Sequence, residues 1–106
     1  MTRRYNQGTM TPAPAPVLTT RERARLKARA HALEPILQVG KTGVQDAVVA
    51  ELDRALTAHE LVKLKINEPD RDAREEIATA LADRTSAALV QRVGKIAVLW
   101  RPNPEE

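Results

Sequence analysis

From Thr19 to Arg101 the hydrophobic pattern moves back and forth between a helical and a strand period, and that order restricts the fold more than any other feature of the chain. Apolar residues spaced by three and four mark one face of a helix, whereas strict alternation marks a strand with two unlike faces. Thr19 and Glu22 have capping-box spacing, in which hydroxyl and carboxylate each satisfy a free N–H. Leu26, Ala30 and Leu33 form a narrow apolar stripe, with Arg21, Arg25 and Arg29 as a ridge beside it. Pro35 disfavours helical geometry at Glu34, so the first helix ends before it. Ile36-Leu37-Gln38-Val39 reads as a short strand. Gly40-Lys41-Thr42-Gly43 follows, and a helical pattern resumes at once. Its apolar face holds Val44, Ala47, Val48, Leu52, Ala55 and Leu56, and Asp46 and Asp53 fall opposite. Between Leu61 and Ile66 the chain alternates cleanly, with Val62, Leu64 and Ile66 on one side and Leu61, Lys63 and Lys65 on the other. A third helix is predicted from about Asp70 to Arg84, with Ala73, Ile77, Ala80 and Leu81 as its stripe. Ala88–Val93 and Ile96–Arg101 read as strands joined near Gly94-Lys95, where glycine permits the positive φ of a tight hairpin.

The order α-β-α-β-α-β-β predicts an α/β fold: one small domain with a four-stranded mixed sheet packed with helices. Its two β-α-β crossovers favour parallel pairing, and the closing hairpin adds an antiparallel pair. A length of 106 residues gives room for one domain and a modest core. Residues 18–102 are its expected extent; residues 1–17, with the run TPAPAPV, are an expected disordered Pro/Ala-rich tail, and residues 103–106 a second tail. No stretch approaches the roughly 20 apolar residues of a membrane span. The opening MTRRYNQGTM has arginines but no apolar run after them, unlike a secretory signal, so a cytoplasmic location is expected. There is no cysteine, which excludes disulfides and thiolate metal sites.

Lysine and arginine number 17 against 14 acidic residues, a mild excess whose distribution matters more than its size. Residues 1–31 hold seven cations (Arg3, Arg4, Arg21, Arg23, Arg25, Lys27 and Arg29) against Glu22 alone, so the remainder is net negative. Segregation of this kind suits a polyanion-facing side, although a solvated arginine-rich helix has the same composition. The aromatic residues are Tyr5 and Trp100. Recognition built on several stacked bases is therefore disfavoured, and phosphate contacts should dominate with any nucleic acid. Trp100 shares a strand face with Ile96 and Val98, as a core or rim residue or as a single stacking platform.

Gly40-Lys41-Thr42-Gly43 sits between a strand and a helix start, where glycines allow close approach of a ligand and helix N–H groups attract anions. Such a loop can grip a phosphodiester backbone; an ordinary strand-to-helix turn can carry the same residues. A nucleotide-hydrolase loop is excluded, because it needs a glycine at position 35, which is proline. His31 and His59 have no second ligand at helical spacing, and Ser86, the one serine, has no histidine nearby in sequence. No catalytic residue, metal site or cofactor is expected, and the chain is read as non-enzymatic.

Several ordered segments resemble the CRM domain, named for chloroplast RNA splicing and ribosome maturation, and in particular its single-domain bacterial YhbY-like members. LTTRERARLKARAHALEPILQVGKTGV resembles the family's basic helix, His-x-Leu-x-Pro step, strand and GxxG loop. ALTAHELVKLKI, the Asp-Arg after it and VQRVGKIAVLWRP are similar to its later pattern. Trp100 departs from the tyrosine often found near the family's end. The resemblance implies a fold similar to the C-terminal domain of translation initiation factor three, and binding of RNA, with ribosomal RNA and large-subunit precursors as partners. It carries the RNA-binding role onto Gly40, Lys41, Thr42 and Gly43, onto Arg21, Arg23, Arg25, Lys27 and Arg29, and onto Lys63 and Lys65. A monomer is expected. A protein-binding adaptor on ribosomal proteins or an assembly GTPase is the alternative, and a DNA-binding architectural protein a remoter one.

Overall fold

The computed structural model describes residues 15–40 and 42–103 and contains seven elements in the expected order. They are α1 (Thr20–Ala30), β1 (Leu37–Val39), α2 (Asp46–His59), β2 (Leu61–Ile66), α3 (Arg71–Thr85), β3 (Ala88–Val93) and β4 (Ile96–Trp100). Most of the expected N-terminal tail, and Lys41, lie outside the described residues. No helix among the described residues is long and apolar enough to cross a membrane.

Local chemistry sets the element boundaries. The capping box forms in full: Glu22 N–H donates to Thr19 Oγ1 at 3.0 Å, and Thr19 N–H donates to Glu22 Oε1 at 2.9 Å. Asp70 caps α3, accepting from Ala73 N–H at 2.8 Å. That helix closes with Ala87 N–H on Ala82 O and Ser86 N–H on Asp83 O, and Ser86 turns left-handed at φ 56°. This is the Schellman closure, in which glycine is the usual left-handed residue. Ser86→Gly removes the Cβ cost of that conformation. We expect it to raise stability by about 0.5–1 kcal/mol, read as a melting temperature several degrees higher.

The sheet order is β1-β2-β4-β3. β1 pairs parallel with β2, and β4 lies antiparallel to both β2 and β3. The second crossover therefore carries the chain past a gap, which the final strand fills after turning at Gly94 (φ 58°) and Lys95. β2 and β3 run in the same direction but are not hydrogen-bonded neighbours.

Two apolar layers flank the sheet. On one side α2 and α3 cover Leu37, Val39, Val62, Leu64, Ile66, Ala97 and Leu99 with Leu52, Leu56, Leu81 and their neighbours. On the other, Leu26 and Ala30 of α1 press on Leu61, Val90 and Val98, with Leu18, Leu33 and Trp100 at the margin. Trp100 is thus half-buried beside α1. Arg101 fastens the sheet to α2 and α3: its guanidinium donates to Asp53 Oδ1 at 2.6 Å, Thr57 Oγ1 at 3.0 Å and Thr85 O at 2.9 Å.

Several expectations shift at their edges. β1 loses Ile36 and β4 loses Arg101, while α2 starts at Asp46, leaving Val44 in the connecting bend. Leu33 lies beyond the end of α1 but still packs against its cluster. The buried face of α3 is Ala78, Leu81, Ala82 and Thr85; Ala73, Ile77 and Ala80 are only half-buried. Alanines occur around that helix, so apolar spacing alone marks its inner side poorly.

Candidate nucleic-acid interface

Alternation along β2 puts Val62, Leu64 and Ile66 under α2 and α3 and turns Lys63 and Lys65 to the face shared with α1. α1 covers only part of that face, and both lysines are half-buried. Lys63 stands opposite Val98, and Lys65 between Ile96 and Gln38. Two shallow clefts open beside the end of α1. One runs between Lys27 and His31 of the helix end and Gln91, Val93 and Ile96 of the sheet. The other lies toward β1, with Arg29, Glu34, Ile36 and His59 around it. Lys63 lines both clefts. Lys63 of β2 therefore shares one cleft with Lys27 and the other with Arg29, although it lies more than thirty residues from either in the sequence.

The remaining α1 cations have different surroundings. Arg21 and Arg25 are exposed. Arg23 instead donates through Nη1 to Leu89 O at 2.9 Å and Val90 O at 2.7 Å. A register shift between Leu89 and Gln91 disturbs the β3–β4 ladder at this point, and the guanidinium binds the carbonyls beside it. Arg23 thus ties α1 to an edge strand. Nothing in its residue type or helical spacing signals this.

The loop after β1 emerges at the same end of the sheet as Lys65. Gln38 is the register partner of Lys65, and Asn67 N–H donates to Val39 O at 2.7 Å. Gly43 N–H donates to Gly40 O at 2.9 Å, closing a tight turn. Gly43 is buried at φ 70°, a backbone conformation that disfavours any side chain. Gly40 is exposed, and a Cβ there would meet nothing within 4 Å. Thr42 is exposed; Lys41 lies outside the described residues.

α2 differs from the other two helices in having no side-chain hydrogen bond at its N-cap, Gln45. Its first-turn N–H groups are left for solvent or an anion. Asp46, in that turn, pairs with Arg84 at 3.0 Å. The segment after β2 carries acidic groups of its own. Glu68 Oε2 accepts from Asp70 N–H at 3.0 Å, while Arg74 donates to the Glu68 and Pro69 carbonyls. Among the described residues no group of three or more histidine or acidic side chains is arranged to hold a metal ion.

Comparison with known proteins adds independent findings. Residues 18–101 match the model of the CRS1 / YhbY (CRM) domain. A Haemophilus influenzae protein named as an RNA-binding protein is 41% identical over 88 residues, covering 83% of this chain and 89% of that relative. YqeI of Bacillus subtilis, named as a probable RNA-binding protein, is 35% identical over 89 residues, covering 84% of this chain and 93% of the relative. The solution structure of the hypothetical protein SAV1595 from Staphylococcus aureus superposes with a TM-score of 0.75 at 31% identity. It spans 84% of this chain and 93% of its own.

Proposed function

The chain belongs to the CRS1 / YhbY (CRM) domain family, and from that premise we propose that it is a non-enzymatic RNA-binding protein that binds ribosomal RNA in the cytoplasm and assists assembly of the large ribosomal subunit. The observation that carries the reading is the place of Lys63 beside the end of α1, in one cleft with Lys27 and in a second with Arg29, on the sheet face that also holds Lys65. The names of the relatives support its RNA-binding part.

The exposed turn at Gly40 would let a phosphodiester backbone approach the open N–H groups at the start of α2. Lys41 would add a charge by its place in the sequence. Arg21, Arg25, Lys27, Arg29, Lys63 and Lys65 would neutralise the phosphates that follow. Arg23 would contribute by holding α1 on the sheet. Few rings are available, so selectivity would come from the shape of the RNA.

Gly40→Asp tests the loop, because the new side chain enters open space and the fold is spared. Binding to structured ribosomal RNA is expected to fall about tenfold at unchanged melting temperature, since a carboxylate would face the phosphates. Unchanged affinity would remove the loop from the mechanism. The assembly role is tested by crosslinking in cells, sequencing of the bound RNA and sedimentation with subunit precursors. A protein-docking adaptor would instead tolerate the added carboxylate and show little salt dependence.

A further inference from the structure

We infer that the cleft between the end of α1 and the β3–β4 sheet is a base-binding subsite, which takes one unstacked nucleobase of an RNA strand while Lys63 holds an adjoining phosphate. This rests on the RNA-binding reading and assigns a part to His31, Gln91, Val93 and Ile96, none of which the charge pattern singles out.

The cleft has a volume of about 240 Å³. That is below the range of pockets that enclose a whole drug-sized ligand, and suits a single flat ring system. Its floor is apolar, formed by Ala30, Val93, Ile96 and Val98. Val93 is 59% exposed, one of the few large apolar side chains that the described surface leaves open. The β3–β4 irregularity ends at Gln91, which stands opposite Val98 on this face. The Gln91 amide can both donate and accept, as the edge of a base requires.

The rim is cationic or neutral: Lys27, His31 and Lys63, with no carboxylate among the lining residues. An acidic peptide would satisfy the cations but leave the apolar lining without a matching group. A nucleotide supplies both parts, a flat apolar ring and an attached phosphate. The second cleft shares Lys63 but has Glu34 in its wall, which would repel that phosphate. The two clefts are therefore unequal, and the subsite is assigned to the first.

The test compares two single-stranded RNA hexamers of equal charge, one with mixed bases and one abasic at its central positions, on the wild-type chain and on Val93→Ser. The substitution is at an exposed position, removes apolar floor and leaves the charge unchanged. The base-bearing hexamer is expected to bind the wild type about tenfold more tightly than the abasic one, through the apolar area that the ring buries. Val93→Ser should erase most of that difference and leave abasic binding unaltered. Titration of the base-bearing hexamer should also move the methyl resonances of Val93 and Ile96. Equal binding of the two hexamers, or a difference that survives Val93→Ser, overturns the subsite while leaving RNA binding intact. If neither hexamer nor structured ribosomal RNA binds, the subsite and the RNA reading fall together.

Discussion

Replacing Lys63 and Lys65 together with glutamine lowers the affinity for structured RNA about 30-fold, if each ammonium contributes about 1 kcal/mol at the partly screened surface. The slope of log affinity against log salt should become shallower by about 0.7–0.9 for each phosphate that is no longer neutralised. Glutamine keeps the inner half of each lysine stem, and both positions are only half-buried, so the melting temperature should change little. Anisotropy titrations at several salt concentrations measure both quantities. The single variants should be unequal, with Lys63→Gln the more damaging, because Lys63 lines both clefts while Lys65 lies beyond them. An unchanged slope in the double variant would move the RNA surface elsewhere. Equal single effects would argue for diffuse attraction in place of two defined ion pairs.

Leu99→Ala is the substitution expected to cost the most stability. Leu99 is fully buried in β4, between Val62 of β2 and Leu89 of β3, under α2 and α3. Truncation there leaves a cavity walled by the strand partners on both sides, which cannot close without breaking the ladder. A loss of about 3–4 kcal/mol is expected. Domains of this size are commonly stable by about 5–15 kcal/mol. The melting temperature should drop by about 15 °C or more, measured by thermal circular dichroism. A drop of only a few degrees would mean that the layer under α2 and α3 repacks around the gap.

What is legible in the sequence is local. The capping box of α1 needs only Thr19 and Glu22 three residues apart, and the faces of β2 follow from strict alternation over six residues. The positive φ of Gly43 and of Gly94 belongs to turns whose flanking patterns are visible. The order β1-β2-β4-β3 is not legible, because adjacency between β2 and β4 joins segments separated by a whole helix and another strand. The inner side of α3 differs from the expected stripe since alanine contrasts weakly with its polar neighbours. Within the candidate interface, the lysines of β2 are legible as an outward pair, and the α1 cations as a charge run. Their convergence is not, and Arg23 shows why. It looks like its neighbours in sequence, yet an irregularity in a strand more than sixty residues away supplies the carbonyls that bind it. The clefts join side chains from α1, β2, β3 and β4, and no local pattern marks His31 or Gln91 as neighbours.

The position of β4 between β2 and β3 also bears on how the protein is made. A nascent chain emerging from the ribosome can form α1, β1, α2 and β2 early, yet β3 has no strand beside it until residues 96–100 are free. Synthesis adds about 5–20 residues each second, so the growing molecule holds an open gap until residues 96–100 have been made. Sheet closure thereby waits for β4, and a product cut short before Ile96 would leave the facing edges of β2 and β3 unpaired and open to aggregation.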